Sequence, residues 1–362
     1  PSLPVLVLVF LLAASCAAGS WYFFANDLLL IDAGYPLFAS LSVYLLLVFI
    51  NYRREEIQRQ EIRSAFSQYL APDYVEQIAR NPENLTLGGA RRRTTVLFSD
   101  VRNFTNISES FAQNPQGLTS LMNRFLTPLS NGIMEKRGTI DKYMGDAIMA
   151  FWNAPLDDDS QEIHACEAAL VMVKRMRALN EERMLEAQSG GQTFFPLNIG
   201  VGINTGDCVV GNMGSEFRFD YSVLGDSVNL ASRLEGQTKT YGVTILIGNT
   251  TAERVSGLFA MVEADLIRVK GKQEPERIFC LLGDVDLALN RSFVDAKAAF
   301  EDMLSHYRNQ DWDAALARCL DISSAETGEL AQLAATFRLR IENFKKTPPP
   351  VNWDGVYVAE SK

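Results

Sequence analysis

Two aspartates stand where strands would otherwise continue as core. The stretch "TTVLFSDVRNFT" (residues 94–105) runs from threonines through Val96, Leu97 and Phe98 to Asp100, then resumes with Val101 and Phe104. In "DKYMGDAIMAF", Asp146 follows a tight turn at Met144-Gly145 and opens another apolar run. Either Asp alone is an ordinary strand-closing turn residue. Together, at the ends of neighbouring strands, they make a hard oxygen site that suits Mg²⁺ or Mn²⁺ held with substrate phosphates. The backbone that follows Asp100, through Phe104 and Thr105, can offer amides to phosphate oxygens. Farther along, Asn229 and Arg233 in "VNLASR" are four apart and share one face of a predicted helix. Read in isolation, that Arg is either a solvated surface charge or an anion ligand. No Ser-His or Cys-His constellation accompanies these groups, and the two histidines, His164 and His306, fall in helical segments where a structural role is expected.

The elements that must position these residues occupy part of a chain too long for one ordinary domain, 362 residues. A net charge of -10, from 34 basic and 44 acidic side chains, excludes a nucleic-acid-coating surface but not a local anion site. Five scattered cysteines with no CxxC pair point to free thiols and no zinc cluster. Residues 1–26 carry no charge and Ala33 to Tyr52 form a second uncharged run, followed at once by Arg53 and Arg54. Two transmembrane helices over 1–52 are therefore expected, a multi-pass anchor in the inner (plasma) membrane with the following domain cytoplasmic. Since the chain opens on Pro1, it reads as a fragment with more sequence upstream.

Residues 53–89 read as a helical connector and turn-rich linker. From 90 to 283, strand-like and helix-like segments alternate, which predicts an α+β sheet with helices on one face. Within it the glycine-rich "FFPLNIGVGINTGDCVVGNMG" reads as paired strands around hairpins. Residues 284–362 form a small helical extension with a Pro-rich tail whose aromatics are expected to dock.

Four stretches, "TTVLFSDVRNFT", "GTIDKYMGDAIMAFWNAP", "GVGINTGDCVVGN" and "YSVLGDSVNLASRLE", in this order and spacing, resemble the catalytic domain of class III adenylyl and guanylyl cyclases. The resemblance spans about residues 90–283. It implies a ferredoxin-like, palm-type core and a head-to-tail homodimer with active sites at the interface. Asp100 and Asp146 would bind two Mg²⁺ or Mn²⁺ ions, with Val101 lending a carbonyl. Asn229 would orient the ribose, Arg233 would neutralise charge on the α-phosphoryl group, and Lys270 would contact the terminal phosphates. Lys142 and Ser222 fall at the base-selecting positions. Lys142 matches the adenylyl pattern, while Ser222 departs from the commonest Asp, and its hydroxyl can donate or accept. ATP is therefore the expected substrate and GTP the alternative; a catalytically inactive nucleotide sensor is the other reading. With its anchor, the chain resembles bacterial membrane-bound receptor-type adenylate cyclases whose CHASE-type sensor lies upstream.

Overall fold

The computed structural model describes residues 3–29, 32, 34–66, 75, 89–191, 194–214, 219–268, 274–324 and 328–358. The chain divides into two units, residues 1–68 with 75–84, and residues 69–74 with 85–362.

The first unit holds α1 (Leu3–Asp27) and α2 (Gly34–Phe66). No helix-breaking residue interrupts α2 between its apolar half and "RREEIQRQ", so the apolar stretch and the first part of the connector are one helix. Among the described residues, one window, Leu37–Arg54, is long and apolar enough to cross a membrane. The expected pair of spans, and with it the multi-pass placement, is thereby corrected to a single candidate. Helix α1 is apolar over most of its length, yet it yields no such window among the described residues. The helix expected at "DYVEQIAR" lies outside the described residues except for Val75.

The second unit begins with β1 (Ala90–Val101), α3 (Phe104–Ser110), α4 (Pro115–Glu135), β2 (Thr139–Met144), β3 (Ala147–Trp152), α5 (Gln161–Gly190) and β4 (Ile199–Gly214). These strands lie side by side in the order β2-β3-β1-β4, each antiparallel to its neighbour, which is the ferredoxin-like βαββαβ arrangement. The sheet continues through β6 (Ile245–Gly248), β8 (Glu276–Gly283) and β7 (Ala260–Arg268), while β5 (Phe219–Leu224) folds back on the outer half of β4. Between β5 and β6 runs α6 (Asp226–Tyr241), and α7 (Asn249–Arg254) follows β6.

Helices cover both faces of this sheet rather than one, and β4 explains why. Its odd positions Ile199, Val201 and Ile203 join Phe125, Leu129 and Ile133 of α4 and Met172 of α5 in one core. Its even positions include Gly200, Gly202 and Gly206, which face α6. A methyl group at Gly202 would overlap the Ala231 carbonyl and the Glu235 backbone, and one at Gly206 would overlap Ser227 Oγ. So the glycines read as hairpin turns are instead the seat of a helix on one sixteen-residue strand. We expect Gly202→Ala to force α6 off the sheet, at a cost of about 1–3 kcal/mol as in overpacked cores. Denaturant titration checks this, and an unchanged midpoint would contradict the seat.

The C-terminal segment, α8 (Val285–Ala288), α9 (Arg291–Arg308), α10 (Trp312–Ser324), α11 (Glu329–Lys346) and β9 (Tyr357–Val358), packs on the α6 side. Phe300, Tyr307 and Phe337 share a second core with Leu230, Leu234 and Tyr241 of α6. The tail aromatics dock as expected: Trp353 packs edge-on to Tyr307 at 5.3 Å between ring centroids, and β9 adds a parallel strand to β7.

Candidate active site

The β2–β3 hairpin delivers the first acid. Met144 pairs with Ala147, and Gly145 at φ +69° supplies the left-handed turn residue that most side chains resist. Asp146 is therefore fixed at the hairpin tip. Since Ser99 of β1 pairs with Ile148 of β3, the next residue of β1, Asp100, comes alongside that tip. The two carboxyl groups lie close enough to influence each other's ionisation. Partial burial, then the charge of Asp100, pushes the Asp146 carboxyl up to about 6.

A third carboxylate faces this pair. Glu235, on α6, is pushed up to about 7, chiefly by burial and then by Asp100, against the opposing pull of Arg102; Asp146 adds to the rise. Arg102 is held behind them by Thr238 Oγ1 at 2.6 Å and the Val243 carbonyl at 2.9 Å, and burial lowers its own pKa. Crowded, half-buried carboxylates with raised pKa values are a donor set that a hard divalent cation would relieve, so these residues fit Mg²⁺ or Mn²⁺. Among the described residues no group of three His, Cys, Asp or Glu side chains is placed to hold a metal ion, so the fit rests on the Asp100–Asp146 pair with substrate oxygens completing the shell. Val101 closes β1 with its side chain buried in the core, so any ligand role falls to its main chain. The same holds for Phe104, whose ring packs edge-on to Phe125 at 6.0 Å, whereas the Thr105 side chain is exposed.

Asn229 and Arg233 lie one turn apart on α6, as their spacing predicts. Asn229 is exposed, while the Arg233 Nη1 atom is buried with no hydrogen-bond partner. Such an orphan donor is uncommon in folded proteins and is what an anion would satisfy.

Lys142 and Ser222 come together through a residue that sequence reasoning passed over, Asp141. The β2–β3 pairing slips between Ile140 and Lys142, leaving Asp141 as the extra residue of a bulge, and bulges re-aim side chains. Ser222 Oγ donates to Asp141 Oδ2 at 2.6 Å, and Lys142 Nζ lies 3.3 Å from Oδ1. That second contact is within ion-pair range but lacks hydrogen-bond geometry, so Oδ1 is buried without a hydrogen-bond donor. Burial raises the Asp141 carboxyl, while the Ser222 hydrogen bond and the Lys142 charge pull it back. Lys270 lies outside the described residues. The histidines sit on carboxylates, His164 Nδ1 at 2.8 Å from Asp158 and His306 Nδ1 at 3.1 Å from Asp311, in keeping with structural roles.

Residues 90–283 match the family model for the adenylate and guanylate cyclase catalytic domain, over half of the chain. This chain belongs to that family. The chain is similar to the adenylate cyclase of Anabaena cylindrica, 37% identical over 221 residues, which cover 59% of this chain and 42% of that protein. It is also similar to adenylate cyclase 1 of Rhizobium meliloti (strain 1021), 30% identical over 213 residues, or 58% of this chain and 31% of the relative. The chain thus spans less than half the length of these two relatives. A bacterial light-regulated adenylyl cyclase of known structure, 20% identical with a TM-score of 0.50, covers 66% of this chain and 64% of its own and shares the fold.

Within the cyclase domain, two residues bearing on the site, Glu235 and Asp141, were missed from sequence. Glu235 is two positions beyond Arg233, so helical periodicity turns it toward the sheet and away from the Asn229–Arg233 face. The available signal for Asp141 was a carboxylate following Ile140 inside a short strand, directly beside Lys142.

Proposed function

We propose that this cyclase domain is an adenylate cyclase that converts ATP to 3′,5′-cyclic AMP and pyrophosphate. The ribose 3′-oxygen attacks the α-phosphorus, the bond from that phosphorus to the β-phosphate bridging oxygen breaks with its electron pair leaving on pyrophosphate, and the hydroxyl proton passes to solvent. The observation that carries the reading is the Asp100–Asp146 pair, two crowded carboxylates at adjoining strand ends. Two divalent ions held there with the triphosphate would supply positive charge to the attacking hydroxyl and the departing pyrophosphate. No enzyme nucleophile is required, because the substrate carries its own.

The remaining roles belong to this chain's side chains. The Arg233 guanidinium, with Nη1 buried and unpaired, is preorganised to meet charge growing on the α-phosphoryl oxygens, the kind of stabilisation phosphoryl transfer chiefly uses. Asn229, exposed one turn earlier, orients the ribose. Lys142 and Ser222 receive the base, and Lys270 with the main chain at Phe104 and Thr105 steadies the phosphates. In this reading two copies of the chain meet head to tail, the acids of one facing Lys142, Asn229 and Arg233 of the other. Helix α2, continuous from the candidate membrane span to Phe66, would carry a signal from a membrane or extracytoplasmic sensor. ATP is favoured over GTP by Lys142 and by the adenylate cyclase relatives.

The test is incubation of the purified chain with ATP or GTP and Mg²⁺ or Mn²⁺, followed by chromatographic separation of products. Cyclic AMP and pyrophosphate from ATP, in at least tenfold excess over cyclic GMP from GTP, are expected. Cyclic GMP as the main product would overturn the base assignment, and no cyclic product with either nucleotide would overturn the activity.

A further inference from the structure

A serine hydroxyl facing a purine is ambiguous, since it can donate to guanine O6 or accept from the adenine 6-amino group. The tertiary structure removes the ambiguity. Ser222 has one hydroxyl proton, and at 2.6 Å it goes to Asp141 Oδ2. What Ser222 can still present to a ligand is a lone pair. Lys142, 3.3 Å from the other oxygen of the same carboxylate, presents only N–H donors. One acceptor beside one donor matches the adenine edge, where the 6-amino group donates and N1 accepts. Guanine reverses both, with O6 accepting and N1–H donating.

Resting on the adenylate cyclase reading above, we propose that Asp141 is a positioning residue for base selection: by taking the Ser222 proton and holding Lys142, it sets the acceptor–donor pattern that admits adenine. The architecture supports a dedicated role. Asp141 occupies the extra position of a bulge, its side chain is fully buried, and it bonds across to β5, 81 residues away in sequence. A bulge is what lets Asp141 and Lys142, consecutive residues on a strand, act on one site, because regular alternation would send them to opposite faces. A charged residue buried in this way is retained at a cost.

The experiment uses the full chain with three changes: Asp141→Asn, Ser222→Ala and the double variant. Each is read by kcat and KM for ATP and GTP, and by affinity for 3′-deoxy-ATP and 3′-deoxy-GTP, which lack the attacking hydroxyl. Asp141→Asn is expected to lower the ATP-over-GTP preference in kcat/KM about 10- to 100-fold, mainly through a higher KM for ATP. Because Asp141 acts through Ser222, its effect should shrink at least threefold in the Ser222→Ala background. Effects that simply multiply, or an unchanged preference in Asp141→Asn, would overturn the proposal. Should that variant fail to fold, the unmodified chain still decides: purine riboside 5′-triphosphate, which lacks the 6-amino group, should have a KM about tenfold above that of ATP. Equal KM values would mean that Ser222 accepts nothing from the base. If the unmodified chain itself shows no ATP preference, in turnover or in 3′-deoxynucleotide affinity, it is the adenylate reading that fails, and the proposal falls with it. An intact ATP preference that survives Asp141→Asn removes the proposal alone.

Discussion

Asp146→Asn should lower cyclic AMP formation by roughly a hundred- to a thousandfold, the order of effect seen when a transition-state electrostatic group is lost, and should also make the metal-free protein more stable at neutral pH. The two outcomes share one cause. An amide is a poor ligand for a divalent ion and carries no charge, so the site loses its cation affinity. The same change removes an ionised group that burial and Asp100 oppose in the folded state. The sign follows from linkage. The carboxyl titrates near 6 when folded and near 3.9 when unfolded, so between those values the folded state binds more protons and stability falls as pH rises. Above about pH 6 the full penalty is present, and below about pH 4 it vanishes. A shift of this size corresponds to less than 3 kcal/mol, and solvent screening at a partly exposed group reduces it to about 1 kcal/mol. In a domain of this size that is a rise of a few degrees in Tm. Thermal melts with a chelator at pH 7.5 and pH 4 check it: the variant should melt higher at the first and equal to the unmodified chain at the second. A variant that melts lower at pH 7.5, or keeps its activity, contradicts the role assigned to the acid pair.

Arg340→Ala should be the most destabilising single change in the C-terminal extension. Its Nη1 lies 2.6 Å from Asp265 Oδ2, with the two side chains 10% and 0% exposed, and Tyr241 Oη donates to the same oxygen at 2.6 Å. The guanidinium also stacks on Tyr357 at 3.6 Å and lies over Phe337 at 5.0 Å. Burial, the largest single influence, would lower the Arg340 pKa, but Asp265, Tyr241 and Tyr307 together outweigh it and the net shift is upward, so the side chain stays charged. Burial followed by Asp265 raises the Tyr241 phenol well above its usual range, which keeps it a neutral donor. Truncating Arg340 strands a fully buried carboxylate, a loss of about 3–5 kcal/mol. Because Tyr241 closes α6, the helix that carries Asn229 and Arg233, kcat should fall with stability. Replacing both charges together, Asp265→Leu with Arg340→Leu, should recover most of the loss, since a buried pair exchanged for apolar groups is often neutral or better. Chemical denaturation of the single and double variants distinguishes this from simple loss of packing, in which case the double variant would be no better than the single.

Both results bear on what the extension does. Glu329, the first residue of α11, accepts from the Thr244 amide at 2.8 Å and from its hydroxyl at 2.7 Å, and its charge acts on Arg102 beside the acid pair. The extension is therefore joined to the catalytic sheet by a buried ion pair, a shared aromatic core and an added strand, and is more than a tail that follows it.

The candidate site was largely legible in the sequence because its signals are local. A carboxylate closing an apolar run, a glycine at a hairpin tip and an Asn–Arg pair four apart each follow from strand or helix periodicity. Those rules placed Asp100, Asp146, Asn229 and Arg233 on the elements where the structure has them. Tertiary structure decided whatever depends on a neighbour distant in sequence. Gly200, Gly202 and Gly206 look like turn residues until α6 is seen resting on them, and the second helical face of the sheet follows from that seat. Apolarity along the first fifty residues suggested two membrane spans, although helix length and composition support one candidate among the described residues. Ser222 became an acceptor only when folding brought Asp141 within hydrogen-bond reach, because a hydroxyl has no fixed polarity until a neighbour takes its proton.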